Sequence, residues 1–187
     1  GELGVGAGIV YDSDAGAEYG ECRLKASFLT GLPNDFEIFE TNYATRAGGC
    51  RHLERHLARL GASAAYFGHP FNPDLARAAA QEACAALPDC VPHRVRLALQ
   101  PSGEIVAQTG ALAPLDEPVR LLLADEPTHA HDVFLRHKTS IRGRYDAAWR
   151  AAESVGAFDT LFFNERGELT EGGRSSVFVR IGGRWLV

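Results

Sequence analysis

Between Arg51 and Phe67 the apolar residues Leu53, Leu57, Leu60 and Ala64 recur three or four positions apart with basic side chains on the other face, which predicts an amphipathic helix. An alanine-rich stretch from about Pro73 to Leu87, with proline in its first turn, predicts a second helix. Strand patterns flank the pair. "FEIFET" (36–41) alternates apolar and acidic residues as a half-buried strand does, and Gly48-Gly49 has the composition of a hairpin turn. "HRVRLALQ" and "EIVAQT", joined by Pro101-Ser102-Gly103, predict a further hairpin. Residues 36–117 therefore make a small α+β subdomain.

A second boundary falls after the proline-containing "ALAPLDEP", where "VRLLLAD" (119–125) begins a new strand. A helix from about Arg144 to Val155 follows. "DTLFFN", "SSVFVR" and "RWLV" read as strands, with turns at Glu165-Arg166-Gly167 and Gly182-Gly183. Ahead of all this, residues 1–30 hold a glycine-rich opening and "EYGECRLKASFL", which has helical character, and residues 31–35 have linker composition.

At 187 residues and 45% hydrophobic, the chain has enough apolar surface to build a core. A net charge of −5 with both signs interspersed argues against nucleic acid or an anionic membrane as the main partner and favours a small molecule. Since no apolar run approaches the roughly 20 residues of a spanning helix and no signal-peptide pattern opens the chain, a cytoplasmic protein is expected. Cys22, Cys50, Cys84 and Cys90 form no CxxC and read as reduced thiols, and the spacing of His52, His56, His129, His131 and His137 matches no metal site. The absence of methionine, an opening in mid-pattern and an ending on "GGRWLV" lead us to expect a piece of a longer polypeptide.

Positive charge is carried almost wholly by arginine; Lys25 and Lys138 are the two lysines. A lysine amine condenses with an aldehyde and is the side chain suited to hold pyridoxal phosphate, which makes Lys138, after an apolar stretch and ahead of a helix, the candidate. A pyridoxal site also needs an acid for the ring nitrogen. "ELTEGGRSSVF" supplies Glu171 at a strand end, then glycines and serines whose amides and hydroxyls could line a cofactor. Phosphate needs a fixed cation or a cluster of amides, and Arg59 on the basic face of the first amphipathic helix could provide the former.

In that order "FEIFET", "HLERHLARLGASAAYFG", "RHKTSIRGRYDAA" and "DTLFFNERGELTEGGRSSVFV" resemble the fold-type IV pyridoxal-phosphate enzymes, the group of branched-chain aminotransferase, D-amino-acid aminotransferase and 4-amino-4-deoxychorismate lyase. The resemblance implies an α+β (α/β) fold with the small subdomain at 36–117 and the first, truncated part of a larger barrel-like, cofactor-binding subdomain at 118–187. It also implies that Lys138 is the Schiff-base lysine, Glu171 the pyridine-nitrogen partner and Arg59 the phosphate arginine, with Tyr145, Gly172, Gly173, Ser175 and Ser176 near the cofactor.

"GVGAGIVYDSDAGAEYGECRLKA" resembles instead the C-terminal end of chorismate-using enzymes such as aminodeoxychorismate synthase component I. By that likeness Gly6, Ala7, Gly8 and Lys25 face substrate, Glu21 helps hold Mg2+, and residues 1–30 are the tail of an incomplete domain. The pairing looks like a fused synthase and lyase making 4-aminobenzoate for folate, with a glutamine amidotransferase partner for the synthase and a homodimer for the lyase. A fold-type IV aminotransferase and a non-catalytic fragment are the alternatives. Several such aminotransferases carry an Arg-Gly pair, holding a substrate carboxylate, where this chain reads Gln100-Pro101-Ser102-Gly103, which favours the lyase.

Overall fold

The computed structural model describes residues 4–6, 11, 14–30 and 34–186. It falls into two units, 1–35 and 36–187. In the first, α1 (Ala15–Thr30) begins where Asp14 accepts a 2.9 Å hydrogen bond from the Ala17 amide, an N-cap for an otherwise unsatisfied donor.

The second unit opens with a four-stranded antiparallel sheet of β1 (Ile38–Thr45), β2 (Gly49–Cys50), β3 (His93–Leu99) and β4 (Ile105–Ala111), in the order β2-β1-β3-β4. Its helices are α2 (Leu53–Phe67) and α3 (Pro73–Ala85). α2 starts two residues later than the periodicity predicts, because His52 takes a left-handed conformation (φ 56°) at the chain reversal out of β2. α3 starts at its proline, with the Asn72 carboxamide accepting from the Asp74 and Leu75 amides at 2.9 and 3.3 Å.

Successive β1 residues point to opposite faces, so Ile38, Glu40, Asn42 and Ala44 form one row. Ile38 packs with Leu60, Ala64 and Leu99, and Ala44 with Leu57, Ala76, Ala80 and Leu97, which places this row under the helices. The simple alternation read from "FEIFET" is corrected here. Glu37 does reach the outer face, where it meets Arg96 and Gln100, but Glu40 occupies the helix-facing row and is 1% exposed.

The later part contributes a three-stranded sheet, β5-β6-β7, built from β5 (Leu121–Leu123), β6 (Asp159–Phe163) and β7 (Leu169–Gly172). β5 and β6 run parallel, and the chain between them includes α4 (Gly143–Ser154); β6 and β7 form a hairpin whose Asn164 carboxamide oxygen accepts from the Arg166 and Glu168 amides. β7 extends the expectation for this region, which placed only a turn and a strand end there. β8 (Val179–Ile181) and β9 (Arg184–Leu186) pair as a separate ribbon across Gly182 and Gly183, both at positive φ.

One short contact ties the two parts of this unit. The Phe39 amide donates to Lys138 O (2.9 Å), the Ser140 amide donates to Glu37 O (2.8 Å), and the Ser140 hydroxyl accepts from the Glu37 amide (2.9 Å). Residues 138–140 thus lie along β1 as an extra rung, with Thr139 opposite Ile38. β2 leaves that length of edge open because it pairs only with Ala44 and Thr45.

Candidate active site

The rung places Lys138 on the outer face of β1, its Nζ 5.3 Å from the centre of the Phe39 ring. The side chain is half-buried. Burial holds its ammonium below the ordinary lysine range, the Arg142 and Arg59 charges add to that, and Glu40 and Glu171 oppose it. The net result is an amine that gives up its proton more readily than a surface lysine.

A cavity of about 170 Å³ opens beside it. Arg59 from α2, Lys138, Arg142 just ahead of α4, Tyr145 in the first turn of α4, Glu171 from β7 and Ser176 contribute to its wall. Residues separated by more than a hundred positions therefore converge on one space. The Tyr145 ring is fixed 4.7 Å from Phe162, and its buried hydroxyl lies beside the Glu171 carboxylate. Burial, and then the nearby Glu171 charge, push that phenol far above its usual range.

Arg59, although its side chain is more than half exposed, is not a free cation on a basic face. Its Nε and Nη2 each donate 2.5 Å bonds to the two Glu40 carboxylate oxygens, and His56 Nδ1 lies 2.7 Å from the second of these. Burial alone would raise the Glu40 pKa, but the Arg59 and His56 hydrogen bonds outweigh it and hold the carboxyl below its ordinary range. The Glu40 charge in turn aims the guanidinium. Sequence reasoning missed Glu40, and the only available signal was an acid falling in the same alternate row as Phe36 and Ile38.

Of the glycine- and serine-rich turn, Ser176 is the residue that lines the cavity. The expectation that the amides and hydroxyls of Gly172, Gly173 and Ser175 line a cofactor meets a different geometry. The Gly172 amide donates to Ser175 O and the Gly173 amide to Thr160 O, while the Arg174 and Ser175 amides and the Ser175 hydroxyl all donate to the fully buried Asp159 carboxylate. A Cβ on Gly172 would stand 2.6 Å from Asp159 Oδ2, and one on Gly173 would stand 2.8 Å from Oδ1. The glycines are there so that the turn can close on Asp159, which in turn holds Glu171 and Ser176 in place.

Other expected positions lie elsewhere. Gly6 is described and exposed, Ala7 and Gly8 fall outside the described residues, Glu21 is exposed on α1, and Lys25 is on α1 with its side chain outside the description. No group of three or more His, Cys, Asp or Glu side chains among the described residues could hold a metal ion. No helix among them is long and apolar enough to cross a membrane. His137 does line the cavity, with its Nδ1 3.0 Å from the Ser63 hydroxyl and its ring stacked on Tyr66. A larger groove of about 380 Å³ between α3 and β4 is walled mainly by small and apolar residues, with Glu82 and Thr109 its polar side chains.

Residues 37–187 match the family described as amino-transferase class IV. The chain belongs to that family. A Mesorhizobium loti protein provisionally named an amino-acid aminotransferase is 34% identical, with a TM-score of 0.71 over 79% of this chain and 72% of that one. A protein provisionally named 4-amino-4-deoxychorismate lyase is 28% identical, with a TM-score of 0.68 over 86% of this chain and 65% of that one. A hypothetical aminotransferase of Mycobacterium tuberculosis, in its PLP-bound form, is 24% identical (TM-score 0.62) and covers 81% of this chain against 60% of its own, which shows the shared fold. The chain thus spans between 60% and 72% of the length of these three. No curated protein matches it. Within the family match Lys138 and Glu171 share one cavity wall, while the match begins at residue 37 and leaves residues 1–30 outside it.

Proposed function

We propose that the cavity is a pyridoxal-phosphate site and that the protein uses it as a lyase, converting 4-amino-4-deoxychorismate into 4-aminobenzoate and pyruvate for folate synthesis, next to an aminodeoxychorismate synthase portion. The observation that carries the cofactor is the convergence of a half-buried lysine, a carboxylate and an aimed arginine on one cavity, beside a buried tyrosine hydroxyl. Lys138 would bind the aldehyde, Glu171 the pyridine nitrogen and Arg59 the phosphate. Bound there, pyridoxal phosphate supplies an electron sink for negative charge developing at the substrate carbon next to nitrogen.

The protein's own residues divide the remaining work. Lys138, its amine already biased toward the neutral form, takes the ring proton beside the substrate nitrogen and returns it to the departing enol carbon. Glu171 keeps the pyridine nitrogen protonated. Substrate atoms and electrons are conserved between aminobenzoate and pyruvate, so no acceptor molecule is required. The lyase reading is also supported by the absence of arginine at the β3-β4 hairpin, where Gln100 donates to Glu37.

An aminotransferase reading draws on the Mesorhizobium relative and uses the same lysine and glutamate. Two measurements decide. With pyridoxal phosphate added, the protein is expected to show the near-visible band of lysine-bound cofactor, and Lys138→Ala to lose both that band and turnover by ~10³-fold or more. A full-length protein without the band would overturn the cofactor assignment. Pyruvate release from aminodeoxychorismate without an added keto acid is expected, and dependence on a keto acid would transfer the assignment to an aminotransferase.

A further inference from the structure

The cavity wall holds more positive charge than its own acids balance. Arg59 is neutralised by Glu40, and elsewhere in the unit Arg77, Arg96 and Arg166 are each paired with a carboxylate. Arg142 is not. It lines the cavity four residues after Lys138, half-buried, and no carboxylate among the described residues lies within ion-pair distance of it. Its Nη2 donates a 2.5 Å bond to Gly173 O, and its guanidinium carbon sits 5.0 Å from the centre of the Tyr145 ring. These two contacts orient the group and leave further N–H donors of its planar fork without an acceptor among the described residues. Arg136, which also lines the cavity, is exposed and has no such fixing.

A half-buried, oriented and unpaired guanidinium beside a reactive amine is a site for an anion. We infer that Arg142 anchors a carboxylate of the substrate, holding it while the substrate amine faces Lys138. The inference rests on the reading of the cavity as a pyridoxal-phosphate site, in which Arg59 on the α2 wall takes the phosphate and Arg142 on the Glu171 wall remains for a second anion. It makes Arg142 a specificity determinant that rejects amines lacking a carboxylate, because such a ligand would leave the guanidinium desolvated and unpaired.

The test uses 4-aminobenzoate and aniline, two aromatic amines that differ by the carboxylate alone, titrated calorimetrically into the pyridoxal-phosphate-loaded protein. Wild type is expected to bind 4-aminobenzoate roughly 10- to 100-fold tighter than aniline, the range of a charge-assisted hydrogen bond. Arg142→Gln should erase that ratio, and Arg142→Lys should retain part of it. Cofactor affinity, read separately from the absorption band, should stay within about threefold in both variants, which marks the loss as one of ligand recognition and not of folding. A ratio near one in wild type, or a ratio that survives in Arg142→Gln, overturns the inference. A variant that loses cofactor affinity instead assigns Arg142 to the phosphate and overturns it as well. A wild-type protein with no cofactor band would fail at the earlier step, and so be distinguishable from either result.

Discussion

Residues 38–111 and residues 121–186 are built by different forces. In the first, Ile38, Leu60, Val95, Leu97 and Leu99 are at most 1% exposed, and the sheet and its two helices enclose two apolar clusters. In the second, strands are three to five residues long, Leu123 is 65% exposed and Trp185 is 66% exposed. What orders this later region is largely polar: the rung against β1, the Asn164 turn and the Asp159 carboxylate inside its ring of amides. Most of the candidate chemistry lies in that second region. A hydrophobic body thus supplies rigidity, and directional bonds fix the reactive groups upon it.

The sharpest way to break this contrast is a pair of matched truncations. Leu60→Ala removes a fully buried side chain and is expected to cost ~2–5 kcal/mol in denaturant unfolding, whereas Leu123→Ala should change stability by less than about 0.5 kcal/mol. Equal costs would mean that the later strands bury more than their exposure shows. Next in size, Asp159→Asn places an amide where four donors converge and is expected to cost roughly 1–3 kcal/mol, with weaker cofactor binding because the turn carrying Ser176 loosens. Gly173→Ala should behave alike, since its Cβ would crowd both Asp159 and Tyr145 O. A variant of either kind with unchanged melting and cofactor affinity would remove Asp159 from its ordering role.

The smallest effect concerns acid. Because the Glu40 pKa is lowered in the fold, the unfolded chain takes up that proton first as pH drops. The stability that Glu40 provides is present above its ordinary value of 4.5 and is lost as pH falls below it through the folded pKa. Unfolding free energy measured from pH 6 to pH 3 should therefore fall less in Glu40→Gln than in wild type, with Glu37, also lowered by its Arg96 and Gln100 bonds, accounting for part of the remainder. Parallel profiles would show that the Arg59-Glu40 pair contributes nothing at acid pH.

Local patterns exposed what is local. The helix periods of α2 and α3, the proline and glycine punctuation and the β3-β4 hairpin correspond closely to the structure, because each is set by residues near one another in the chain. Lys138 and Glu171 stood out by chemistry, and the cavity brings them together. Glu40, Asp159 and Arg142 did not stand out. An acid between apolar residues has the same composition whether it faces water or an arginine, and the difference here lies nineteen positions away in Arg59. "EGGRSS" displayed its donors but not their direction, which is fixed by a carboxylate fifteen or sixteen residues upstream. The parallel pairing of β5 with β6 likewise joins segments separated by a whole helix.

The rung formed by residues 138–140 has a further consequence for how this part of the chain can vary. Lys138 is located by its own backbone bond with Phe39 and the bonds of Ser140 with Glu37, not by the length of the stretch that leads to it from β4. Lengthening a connection costs little closure entropy, about 0.6 kcal/mol for a doubling. The connection between Ala111 and Leu121, which ends where β5 begins, can therefore gain or lose residues while the amine keeps its address.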